Sequence, residues 1–115
     1  IGVILQKYFT KAGGAGTMKL FLDDIRREPE GYVLVRSFED CIFELGTKVY
    51  DTVSLDYALG ERFTGLDVLK WMVRNQKFPQ KLNIHSTHAY GRAEMACYIR
   101  MHFPKGYVFT MGDAR

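Results

Sequence analysis

Short apolar runs that break off abruptly in acidic residues constrain this chain more than any other feature. Lys19-Leu20-Phe21-Leu22 ends in Asp23-Asp24, and Asp51 to Leu55 ends in Asp56. A run of four or five apolar residues bounded by polar ones reads as a buried parallel strand delivering its carboxyl end to the surface. Three more runs follow the pattern: Tyr32-Val33-Leu34-Val35, Leu82-Asn83-Ile84 and Tyr107-Val108-Phe109.

Helical signals separate most of these runs. Ser37 caps a helix with Asp40 three residues on, and Phe38, Cys41, Ile42 and Leu45 form one apolar face that Gly46 closes. Thr64 with Asp67 starts a second helix, with Leu66, Leu69 and Val73 as its core stripe and Val68 and Met72 beside it. A third begins near Tyr90-Gly91-Arg92, carries Met95, Ala96, Ile99 and Phe103, and stops at Pro104 and Gly106. Between the first two strands, Ile25 to Gly31 is polar, contains Pro29, and reads as a loop or degenerate helix. The order β, β, α, β, α, β, α, β implies a parallel sheet with right-handed crossovers.

The 115 residues suit one domain, and a hydrophobic fraction of 47% with 25% charged residues is ordinary for a globular protein. The net charge of +3 comes with no basic run, so there is no strong duplex nucleic-acid signal. No apolar stretch approaches the ~20 residues that span a bilayer. Cys41 and Cys97 lack CxxC spacing and read as reduced core residues of a cytoplasmic protein. Residues 1–17 end in the glycine-rich Ala12-Gly13-Gly14-Ala15-Gly16; they read as a leader, tag or flexible arm, or else as an extra edge strand over Val3 to Phe9 that mediates dimer contacts. Residues 18–115 form the domain. Oligomeric state is left open.

In an open α/β sheet, ligands bind beyond the carboxyl ends of the strands at the switch point. In the order 2-1-3-4-5 the first and third strands are neighbours there, about 4.8 Å apart, so Asp23, Asp24 and Asp56 converge. Crowded carboxylates repel and raise one another's pKa values, and a divalent cation relieves the repulsion. Mg²⁺ (or Mn²⁺) suits a site of one or two carboxylates, waters and a substrate phosphate. The plainer alternative is that Asp23 or Asp24 caps the following turn and Asp56 is solvated. His85 and Ser86 end the fourth strand: Ser86 can bond a phosphoryl oxygen, and His85 is either a general acid–base or a satisfied structural residue. Arg92, in the first turn of the last helix, and Arg26 are phosphate candidates, with an exposed Arg and an ion pair as their plain alternatives. His88 reads as a loop residue.

Four segments together resemble a known family. They are Leu22-Asp23-Asp24-Ile25-Arg26; Ser54-Leu55-Asp56-Tyr57-Ala58-Leu59-Gly60; Thr64-Gly65-Leu66-Asp67-Val68-Leu69-Lys70-Trp71; and Asn83-Ile84-His85-Ser86 followed by Gly91-Arg92-Ala93-Glu94-Met95. In this order they are similar to the cyclic-phosphate-processing receiver-like domain family, from about Met18 to about Phe103. The resemblance implies a CheY-like (flavodoxin-like) three-layer α/β/α fold with a five-stranded parallel sheet of order 2-1-3-4-5 and a degenerate first helix. It implies an acidic pocket of Asp23, Asp24 and Asp56, with His85, Ser86 and Arg92 beside it, and a role in handling cyclic or terminal phosphates of nucleotides or RNA ends. Phospho-accepting receivers also carry a lysine at the end of the fifth strand; here Val108-Phe109-Thr110-Met111 offers none.

Three functions compete on this reading. The first is metal-dependent hydrolysis of a phosphate ester with Asp56 and His85 catalytic, Arg26, Ser86 and Arg92 holding phosphate, and a small phosphorylated ligand or RNA end as partner. The others are a signalling module phosphorylated on Asp56 and a non-catalytic phospholigand-binding domain.

Overall fold

The computed structural model describes residues 18–113. The leader, tag, arm or edge strand expected over residues 1–17 lies outside them. Eight elements follow in chain order: β1 (Lys19–Leu22), β2 (Tyr32–Val35), α1 (Phe38–Thr47), β3 (Thr52–Leu55), α2 (Gly65–Asn75), β4 (Lys81–Ile84), α3 (Ala89–His102) and β5 (Thr110–Met111). All strand pairings are parallel and the sheet order is β2-β1-β3-β4-β5, the CheY-like arrangement.

The helices start where their capping residues lie. The Ser37 hydroxyl accepts from the Asp40 amide at 3.1 Å, and Thr64 and Asp67 form a reciprocal capping box. α1 runs one residue past Gly46, where an added Cβ would meet Trp71 only at ordinary contact distance. In α2 the buried residues are Val68, Leu69 and Met72, while Leu66 and Val73 flank them half-buried. The expected stripe is thus rotated toward its neighbours, because α2 meets both α1 and α3 as well as the sheet. His88 is no plain loop residue: its ring nitrogen caps α3 by accepting from the Gly91 amide at 2.9 Å. Of the two cysteines only Cys41 is buried; Cys97 is exposed.

The fifth strand lies three residues later than Tyr107-Val108-Phe109. Tyr107 is diverted to other partners: its ring packs near Phe78 and Phe103 and its hydroxyl donates to the Pro79 carbonyl. The chain therefore joins the sheet only at Thr110, opposite Asn83.

Crossover sense decides which sheet face the helices cover. The three connections β2–β3, β3–β4 and β4–β5 all step the same way across the sheet, so right-handed crossovers put α1, α2 and α3 on one face. The apolar cluster bears this out. Leu20, Leu22, Val53, Leu55, Leu82 and Ile84 join Cys41, Leu45, Met72, Met95 and Ile99, whereas Phe21, equally buried, stays outside that cluster. Only the β1–β2 connection steps the other way, and Asp23 to Gly31 contains no helix. The second face therefore carries no helix among the described residues. Alternation along the strands puts Phe21, Ser54 and Asn83 on this face.

Candidate functional site

The ladder continues one residue beyond each central strand. The Asp23 amide donates to Val35 O at 3.1 Å, Asp56 to Leu22 O at 3.0 Å, and His85 to Leu55 O at 3.0 Å. Asp23, Asp56 and His85 thereby sit side by side on adjacent strand ends. Each offers a ligand atom, and these atoms all lie within 4.8 Å of one another.

Asp23 is buried, 1% exposed, and every contact it makes suits a carboxylate. Its Oδ1 accepts from the amides of Ile25 at 2.9 Å and Arg26 at 2.7 Å, which holds the short β1–β2 connection in its bend. Its Oδ2 lies 3.0 Å from His85 Nε2. Burial pushes its pKa up, but the two amides and His85 outweigh that and hold it below the usual value. Turn capping and membership of the acidic group are thus both true of this residue.

Asp56 goes the other way. Burial comes first and the neighbouring Asp23 charge adds to it, so its carboxyl is pushed up despite bonds from Ser86 and the Tyr57 amide, the latter at 2.7 Å. The Ser86 oxygen accepts from the His88 amide at 3.1 Å.

Asp24 stands outside the group. It is half-buried and faces the loop after β3, where a Cβ on Gly60 would come 3.0 Å from its Oδ2. Of the three acids expected to converge, the strand ends bring together Asp23 and Asp56. Asp24, one residue beyond the alternation that aims Asp23 inward, points elsewhere.

His85 is 4% exposed, its ring stacks on Phe21 with centroids 4.3 Å apart, and both ring nitrogens have protein partners, Ser54 Oγ at 2.7 Å and Asp23 at 3.0 Å. Burial pushes its pKa down despite the adjacent carboxylate. Both ring nitrogens are thus engaged by protein partners.

The two arginines converge. Arg26 donates to His85 O and Arg92 to Ser86 O, each at 2.9 Å. These successive carbonyls pin two guanidinium groups beside the end of β4, and each group keeps further N–H donors. Both line a cleft of about 290 Å³ with Ser86, Thr87 and Gly112 on its walls. The acid Asp113 lines the same cleft.

Sequence reasoning missed Ser54, Asn83 and Arg36. Arg36 donates to the carbonyls of Asp23 at 3.3 Å and Arg26 at 2.9 Å, bracing the β1–β2 bend. Ser54 and Asn83 were detectable as small polar residues in otherwise apolar strands, two positions before Asp56 and His85 and so on the same face.

A sequence model of the cyclic-phosphate processing receiver domain matches residues 18–101. No curated protein and no solved structure matches the chain.

Proposed function

The chain belongs to the cyclic-phosphate processing receiver domain family, and from that premise we propose that it acts on a phosphate ester, a cyclic nucleotide or an RNA-end phosphate, with a divalent cation as cofactor. One observation carries this reading. The acid pair and the two-arginine cleft share a wall, the His85-Ser86 end of β4.

The donor set fits Mg²⁺ or Mn²⁺. Asp23 and Asp56 would be oxygen ligands on adjacent strands, and the Asp56 carboxyl, pushed up by burial and by Asp23, is the kind of group a cation would settle as a carboxylate. When bound, such a cation supplies polarisation of a phosphoryl oxygen or of an attacking water. The remaining work falls to the chain. Arg26 and Arg92 hold phosphoryl oxygens and stabilise charge that develops on them. Ser86 orients Asp56, and His85 with the two amides orients Asp23.

The test is turnover of a 2′,3′-cyclic nucleotide with Mg²⁺ or Mn²⁺. The expected result is a linear monophosphate from the wild type, with Asp56→Asn and Arg92→Ala each slowed by about a hundredfold. Product formation no faster than in those variants contradicts hydrolysis of that ester.

A second reading rests on Asp56 itself, the half-buried acid at the end of β3 with a hydroxyl residue on the neighbouring strand. There it would accept a phosphoryl group, as in signalling receivers. No lysine follows β5 among the described residues to contact that group, which favours the first reading. Incubation with acetyl phosphate and intact-mass measurement separates the two: a stable single phosphoryl adduct lost in Asp56→Asn supports signalling.

A further inference from the structure

A chain of hydrogen bonds, exposed at its β5 end and buried at His85, crosses the sheet face that no described helix covers, and its direction can be read. It runs from Thr110 on β5 through Asn83 on β4 and Ser54 on β3 to His85, and ends at Asp23 after β1.

A backbone carbonyl sets the direction at one end. The Asn83 side-chain atom 2.8 Å from Gly112 O has to be the amide nitrogen, because a carbonyl oxygen only accepts. That same nitrogen lies 3.1 Å from Ser54 Oγ, so Ser54 accepts from it, while the Asn83 oxygen accepts from Thr110 at 2.7 Å. The Ser54 hydrogen is then free for its remaining partner, His85 Nδ1, at 2.7 Å. A carboxylate sets the direction at the other end. Asp23 Oδ1 already takes two backbone amides, and Oδ2, facing His85 Nε2, can only accept. Both ends demand the same arrangement, and no buried side-chain nitrogen or oxygen among the described residues is left without a partner.

We propose that Asn83 and Ser54 hold His85 as its Nε2–H tautomer, so that His85 is a hydrogen-bond donor fixing Asp23 and is not a ligand of the cation. Proximity alone would admit His85 as a third ligand, since its Nε2 lies within the 4.8 Å group. A nitrogen carrying its proton has no lone pair to give. The cation therefore meets oxygen only, a set that selects Mg²⁺ and Mn²⁺ over nitrogen-seeking metals. Ser54 and Asn83 become positioning residues two and three contacts from Asp23. The tautomer follows from the hydrogen bonds alone; its consequence for the cation rests on the function proposed above.

Two measurements on the wild-type protein test this, and a pair of variants adds a third. Two-bond proton–nitrogen correlation spectra of the His85 ring are expected to show the proton on Nε2 and a bare, hydrogen-bonded Nδ1; a proton on Nδ1 overturns the proposal. Pulsed EPR of the Mn²⁺ complex is expected to show no directly coordinated nitrogen, and a directly bound imidazole overturns it. Ser54→Ala is expected to weaken Mn²⁺ binding about tenfold, with Ser54→Thr, which keeps the donor, near the wild-type value. Equal affinity in all three proteins overturns the positioning role. If the wild type binds no Mn²⁺, the cation reading above fails while the ring spectrum still decides the tautomer. If Ser54→Ala does not fold, the wild-type spectra decide.

Discussion

Asp23 and Asp56 are the same residue type at the same step past neighbouring strands, yet their surroundings drive them apart. Asp23 receives two amides and an imidazole, while Asp56 receives one amide, one hydroxyl and the field of Asp23. Cation binding should therefore weaken as pH falls toward the raised range of Asp56, because a proton competes there first. His85 has a separate effect, on folding. Burial keeps its native pKa below the ordinary 6.5, so the unfolded chain takes up a proton that the folded chain resists. Its stabilising contribution is complete above about pH 6.5 and is lost as pH falls below it. In metal-free protein, the urea midpoint should drop between about pH 7.5 and about pH 5.5, and this drop should shrink in His85→Gln. A midpoint as pH-dependent in His85→Gln as in wild type contradicts the buried neutral ring.

Among the elements, two glycines show how tightly the loop after β3 is seated. A Cβ on Gly65 would lie 2.0 Å from the Asp56 carbonyl oxygen, and one on Gly91 would meet the Tyr57 ring at 2.3 Å. The first residue of α2 and the first turn of α3 therefore close directly onto the two residues that follow β3. Gly65→Ala should cost about 3 kcal/mol in urea unfolding, because backbone has to move. Gly46→Ala, whose nearest neighbour would be Trp71 at 3.6 Å, should instead gain up to about 1 kcal/mol as an ordinary helical substitution. Equal effects at the two positions contradict the close seating of α2.

The strand order and the acidic strand ends were legible because apolar runs and caps report locally on the backbone. Asp24 was not separable from Asp23, since only the alternation at the last ladder bond tells inward from outward. The start of β5 was misplaced because Tyr107 and Phe109 are good strand formers whose rings find better burial against α3 and its flanks. Ser54 and Asn83 stood out as polar residues in apolar strands, but their link to His85 did not, because it runs across strands, at separations of about thirty residues, through contacts that no local pattern encodes.

At the scale of the whole molecule, the sheet has a helical face that supplies the core and a second face that carries polar residues. Crossover sense puts α1, α2 and α3 together, and the one connection of opposite sense is the helix-free segment braced by Asp23 and Arg36. Polar residues can thus run across the second face from β5 to β1 without interrupting the apolar cluster. No described helix is long and apolar enough to cross a membrane. A ligand that binds only the folded chain should stabilise all of it together: Mg²⁺ at about a hundred times its dissociation constant should add about 2.7 kcal/mol to unfolding. The most direct test of a shared cation is a calorimetric titration of Mn²⁺ into the wild type and into Asp56→Asn. One site per chain, weakened at least about tenfold in Asp56→Asn, is the predicted result. Binding of equal strength in the two proteins would contradict the account, since the cation would then lie somewhere other than between Asp23 and Asp56.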